Sequence, residues 1–129
     1  MKKFIYYWTP PIIWMGIIFY LSSRQRISVA DIPIYNFIIF KTLHMIEYAV
    51  LYLLLFRALH FGRKRSSEVN RIFLIGFFFA VLYAVSDEVH QSFVPTREGR
   101  LRDVLIDTFG IFLMYSYIKH SISRIRKYL

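Results

Sequence analysis

The chain has 129 residues, enough for one compact domain and too few for two ordinary ones, so residues 1–129 are expected to form one unit. Its 57% hydrophobic content exceeds the roughly 45–50% of soluble domains, which favours lipid over water as its surroundings. It carries 17 Lys and Arg against 8 acidic residues, and with no Cys it excludes disulfides, thiolate metal sites and Cys nucleophiles.

Four apolar segments follow in order. Met1-Lys2-Lys3 and the run after it resemble a signal peptide, but no small-residue cleavage site follows and Arg24 and Arg26 come next, which predicts a retained first span over 4–21. Pro10-Pro11 are expected to kink its early part. A polar stretch from Gln25 to Pro33 leads to a second span over 34–56, interrupted by Lys41, His44 and Glu47. A basic loop from Arg57 to Arg71 precedes the third span, 72–91, which is apolar to Val85 and then carries Ser86, Asp87, Glu88, His90 and Gln91. The turn-like run Phe93 to Gly99 connects it to a fourth span over 103–118, containing Asp107 and Gly110. The pattern predicts an all-α integral membrane bundle of four transmembrane helices.

Basic residues sort between the two ends of such a bundle. The N-terminus, the Arg57–Arg71 loop and the tail hold eleven Lys and Arg, against five in the loops after spans one and three. The positive-inside rule therefore predicts cytoplasmic N- and C-termini, with the other loops facing outward. Basic residues crowded between apolar segments suit a membrane and do not predict a nucleic-acid partner.

Ionisable groups inside a span are costly, about 2.5–3.5 kcal/mol each at a helix centre, so they need partners. Residues three or four apart share a helix face. Lys41, His44, Glu47 and Tyr48 form one stripe; Asp87, His90 and Gln91 form a second; Asp103, Asp107 and Gly110 form a third. The economical arrangement turns these stripes toward one another around an outward-opening cavity. Gly110 would admit a close helix neighbour. A plainer reading makes Lys41, His44 and Glu47 an internal ion pair with a hydrogen-bonded His, and Asp103 the N-cap of span four.

The run Ser86-Asp87-Glu88-Val89-His90-Gln91-Ser92-Phe93-Val94-Pro95-Thr96-Arg97, with Asp103 to Gly110, closely resembles the signature of VanZ-like membrane proteins. Leu21-Ser22-Ser23 and Lys41, His44, Glu47 and Tyr48 match that family's other motifs in order and spacing, so the resemblance covers about residues 12–114. It implies a small multi-pass bacterial plasma-membrane protein, from a family named after a member linked to resistance against the glycopeptide teicoplanin. Its motif positions fall on Ser22, Lys41, His44, Glu47, Asp87, Glu88, His90, Gln91, Arg97, Asp103 and Gly110, without assigned roles, and all of these but Gly110, together with Asp107, are the expected ligand-binding residues. One departure matters: Asp107 stands where the family usually has Asn.

The leading functional expectation is a cell-envelope binding protein whose cavity takes an amphiphile: a lipid-linked wall precursor, a lipid headgroup or a glycopeptide antibiotic. The alternative is an intramembrane hydrolase or transferase with His44 or His90 as base, Asp87 or Glu47 to orient it, and Ser22 or Ser86 as nucleophile. The sequence requires no cofactor, though His44, Asp87, His90 and Asp107 are candidate ligands for a divalent metal. Membrane lipids are the expected partners, and a homo-oligomer is compatible. A proton relay through Lys41, His44 and Glu47 ranks third, because four short spans leave little room for alternating access.

Overall fold

A computed structural model describes residues 2–25, 31–61, 66–97 and 99–125. All regular structure in it is helical: α1 (Lys2–Ser23), α2 (Pro33–His60), α3 (Ser66–Gln91) and α4 (Leu101–Ile125). The basic run 63–65, Arg26 and residues 126–129 fall outside the described residues, so that part of the charge asymmetry has no structural counterpart here.

The helices outrun the apolar segments that announce them, because i to i−4 bonding continues into polar flanks where the backbone meets water or headgroups. Three helices, α1, α2 and residues Glu68–Gln91 of α3, are long and apolar enough to cross a membrane. α4 is long enough, but Arg102, Asp103, Asp107, Lys119 and His120 lower its apolarity. Two of those groups, Asp103 and Asp107, are buried against the other helices. Pro10 and Pro11 sit inside α1, which runs through them without a break. Pro33 opens α2 at its first turn, where a missing N–H costs nothing.

α2 is the central helix. Its Tyr48, Leu51, Tyr52 and Phe56 are buried against Ile72, Phe73, Ala80 and Ala84 of α3 and Ile111 and Ile118 of α4. Small residues set the spacing. Gly76, Ala80 and Ala84 recur every fourth position on α3, and a side chain at Gly76 would meet the Tyr52 ring at 3.4 Å. Gly110 is tighter still: a Cβ there would collide with the Met45 backbone carbonyl, which brings α2 and α4 into backbone contact. α1 packs on α2 and α3 but not on α4. It is pinned by two bonds to backbone carbonyls, Trp14 Nε1 to Glu47 O at 2.9 Å and Tyr83 OH to Met15 O at 2.6 Å. Large apolar side chains such as Ile12, Phe78, Leu82, Leu105 and Phe112 face outward, as lipid contact requires.

Candidate functional site

Polar residues of the three stripes gather at one end of the bundle, where the end of α1 lies against the connector between α3 and α4. Lys41 Nζ of α2 lies 2.7 Å from Asp103 Oδ2 of α4, and both side chains are buried. This replaces two of the plainer readings. Lys41 pairs across helices instead of with Glu47, and Asp103 is the third residue of α4, so it caps Lys41 and not the helix. Arg102 Nε adds a longer contact to the other oxygen of Asp103, at 3.4 Å.

Asp87 anchors a second group. Its Oδ2 accepts from Ser22 Oγ and from Gln91 Nε2, each at 2.9 Å. Gln91 Oε1 in turn accepts from Arg97 at 3.2 Å, while Arg97 Nε and its second terminal nitrogen donate to the backbone carbonyls of Arg24 and Leu21. A single guanidinium therefore bonds two carbonyls at the end of α1, of which Leu21 O also accepts from Arg24 N at 3.3 Å, and ties them to α3. The connector that aims Arg97 is tightly folded. Thr96 has φ 69°, an uncommon left-handed conformation for a β-branched residue. At Gly99 a Cβ would strike the Glu88 carbonyl, and the next amide, Arg100 N, donates to Glu88 Oε2 at 3.3 Å.

Beside these groups lies a cavity of about 390 Å³, lined by Lys41, His44, Glu47, Gln91, Arg24 and Arg97 on its polar side. Leu21, Phe40 and Leu43 form its apolar side. The size and mixed lining fit a ligand-binding pocket. His44 Nδ1 and Glu47 Oε2 stand 3.7 Å apart, too far for a hydrogen bond, and His44 Nδ1 is buried without a hydrogen-bond partner among the described residues.

Several expected partners are elsewhere. His90 leans outward, stacked on Phe19 at 4.6 Å with Nε2 3.0 Å from Ser23 Oγ. Ser23 Oγ already donates its one proton to the Phe19 carbonyl at 2.7 Å, so His90 must donate in that pair and cannot act as its base. Ser86 is exposed and bonded to the Tyr83 carbonyl, away from the cavity. Ser22 is spent on Asp87. The four candidate metal ligands, His44, Asp87, His90 and Asp107, do not converge: among the described residues no group of three or more His, Asp or Glu is placed to hold a metal ion.

Asp107 occupies the most enclosed position. It is 1% exposed, and among the described residues neither of its carboxyl oxygens has a hydrogen-bond partner. Asp87, Glu88, Asp103 and Lys41 are within electrostatic reach.

A family model described as VanZ/LLP1 matches residues 5–123. The chain belongs to the VanZ-like family. No curated protein and no solved structure matches it. For this VanZ-like membrane protein the matched region takes in all the site residues named above. Asp107 lies within the matched region and, like Tyr48, is buried with its side-chain oxygen atoms unbonded among the described residues.

Sequence reasoning missed the apolar half of the cavity, because Leu21, Phe40 and Leu43 read like any lipid-facing residue. It also missed Arg24 as a lining residue and Gly76-Ala80-Ala84 as a packing stripe. The second was legible as small residues at four-residue spacing.

Proposed function

We propose that this VanZ-like protein is a binding protein of the bacterial plasma membrane, whose cavity takes the polar part of an amphiphilic envelope ligand. Lipid-linked wall precursors, lipid headgroups and glycopeptides share the needed chemistry: anionic or hydroxyl-rich groups beside an apolar portion. The supporting observation is the lining itself, with Arg24, Arg97 and Gln91 at the loop end, His44 and Glu47 deeper along α2, and the apolar Leu21, Phe40 and Leu43 beside them. Such a surface is amphipathic on the scale of a headgroup. The positive-inside distribution directs its mouth away from the cytoplasm, and any effect on teicoplanin susceptibility would act through this outward cavity.

The test is native mass spectrometry of the purified protein with envelope lipids and with teicoplanin. Wild type is expected to retain at least one of these, and Glu47→Gln or Arg24→Gln to change which is retained. Equal, weak retention of every ligand by all three proteins would refute the reading.

The hydrolase or transferase reading is favoured by one feature, His44 beside Glu47 in the cavity. It would need water or a metal-bound water as nucleophile, since Ser22, Ser23 and Ser86 are committed elsewhere. Metal analysis of the purified protein, together with product analysis on lipid-linked phosphates, separates it from simple binding.

A further inference from the structure

The cavity reaches the outer surface of the bundle along α1 and α2. Leu21 and Leu43, two of its lining residues, are also 41% and 49% exposed. Ile17, one turn before Leu21 on α1, and Ile39 and Ile46, one turn either side of Leu43 on α2, are exposed on the same faces. These edges continue the outward apolar surface, interrupted on α2 by the exposed Thr42. Among the described residues α4 contributes nothing to the lining and its backbone does not approach that of α1, so α1 and α2 supply the apolar border of the cavity.

Charge is graded along the same cavity. Arg24 and Arg97 stand at the loop end, where Arg24 donates to the neutral Tyr20 hydroxyl at 2.7 Å. Glu47, the one carboxylate among the described lining residues, stands deeper, about 9 Å beyond Lys41 along α2 at 1.5 Å per residue. Cations at the mouth and a carboxylate below favour an anion held at the level of the loops, which is where a membrane lipid carries its phosphate. A volume of about 390 Å³ suits a phosphate headgroup and leaves the chains outside.

We infer that the occupant is an anionic phospholipid that enters sideways between α1 and α2, keeping its acyl chains in the bilayer while its phosphate sits at Arg24 and Arg97. This rests on the ligand-binding reading above and narrows it to a ligand already dissolved in the membrane. Leaving the chains in hydrocarbon avoids exposing them to water, so the protein need supply only headgroup recognition.

The experiment uses the full chain in phosphatidylcholine nanodiscs doped with phosphatidylglycerol that carries a photoreactive diazirine on an acyl chain. After irradiation, adducts are expected to concentrate on residues 17–21 and 39–46, and to fall several-fold in Arg24→Gln. Arg24 is exposed, so that variant is expected to keep the wild-type thermal unfolding profile. Excess glycerol 1-phosphate is expected not to displace the lipid. Adducts spread equally over Leu74, Phe78 and Leu82 of α3 would overturn lateral entry. So would displacement by glycerol 1-phosphate at concentrations matching the lipid, but that result would leave the cavity-binding reading standing. If neither the lipid is enriched at the edges nor glycerol 1-phosphate binds, both readings fall for this ligand class.

Discussion

Arg97 donates from Nε to the carbonyl of Arg24 at 2.7 Å, across 73 positions of sequence, and so closes the end of α1 from the loop before α4. The same guanidinium reaches Leu21 O and Gln91 Oε1. It therefore holds the cavity mouth together as well as charging it. Arg97→Ala is expected to lower stability by about 1–3 kcal/mol, since three hydrogen bonds that tie the end of α1 to α3 are lost together. Arg97→Lys should recover only part of this, because one ammonium cannot reproduce the planar fork. Thermal unfolding in detergent measures both; an unchanged midpoint in Arg97→Ala would contradict the bracing role.

Lys41 and Asp103 form a buried ion pair between α2 and α4. Removing one partner strands the other, so Lys41→Met is expected to cost roughly 3–5 kcal/mol, whereas Lys41→Met with Asp103→Leu should recover most of the loss. The measurement is a double-mutant cycle on unfolding free energy. Additive losses would show that the pair is not coupled.

Asp107 is enclosed without a hydrogen-bond partner among the described residues. Asn has the same shape and no charge to desolvate, so Asp107→Asn is expected to leave stability unchanged or raise it by about 1 kcal/mol or more. A marked drop in unfolding temperature would mean that the carboxyl is held by a group it needs.

Two glycines in the helices give opposite expectations. Gly110→Ala would press a methyl group into the Met45 carbonyl and should cost roughly 1–3 kcal/mol through separation of α2 and α4. Gly16→Ala meets nothing within 4 Å and should stabilise α1 by up to about 1 kcal/mol. Matched unfolding curves of the two variants check this, and equal effects would argue against the close α2–α4 approach.

Serine chemistry is testable directly. Ser22 donates to the Asp87 carboxylate and Ser23 to the Phe19 carbonyl, so neither hydroxyl donates to an imidazole base. A fluorophosphonate probe is expected to label neither residue. Stoichiometric labelling of either one would revive a covalent hydrolase.

The sequence by itself determined the helical membrane class and which residue types had to be hidden, because ionisable groups within apolar segments have few affordable places to go. Asp87, Asp103 and Asp107 could be read as inward-facing from their three- and four-residue spacing alone, and all three are buried. Pairing was decided only in three dimensions. Lys41 had candidate acids on its own helix and on two others, and the close α2–α4 contact at Gly110 is what selects Asp103. His90 shares a stripe with Asp87 yet turns toward Phe19 and Ser23, since 3.6 residues per turn place i and i+3 on adjacent lines of the face and a packed neighbour decides which line is covered. The cavity was the least legible feature. Its apolar wall consists of Leu21, Phe40 and Leu43, whose chemistry is the same whether they face acyl chains or a ligand, so only the placement of α1 against α2 and α3 gives them a second role.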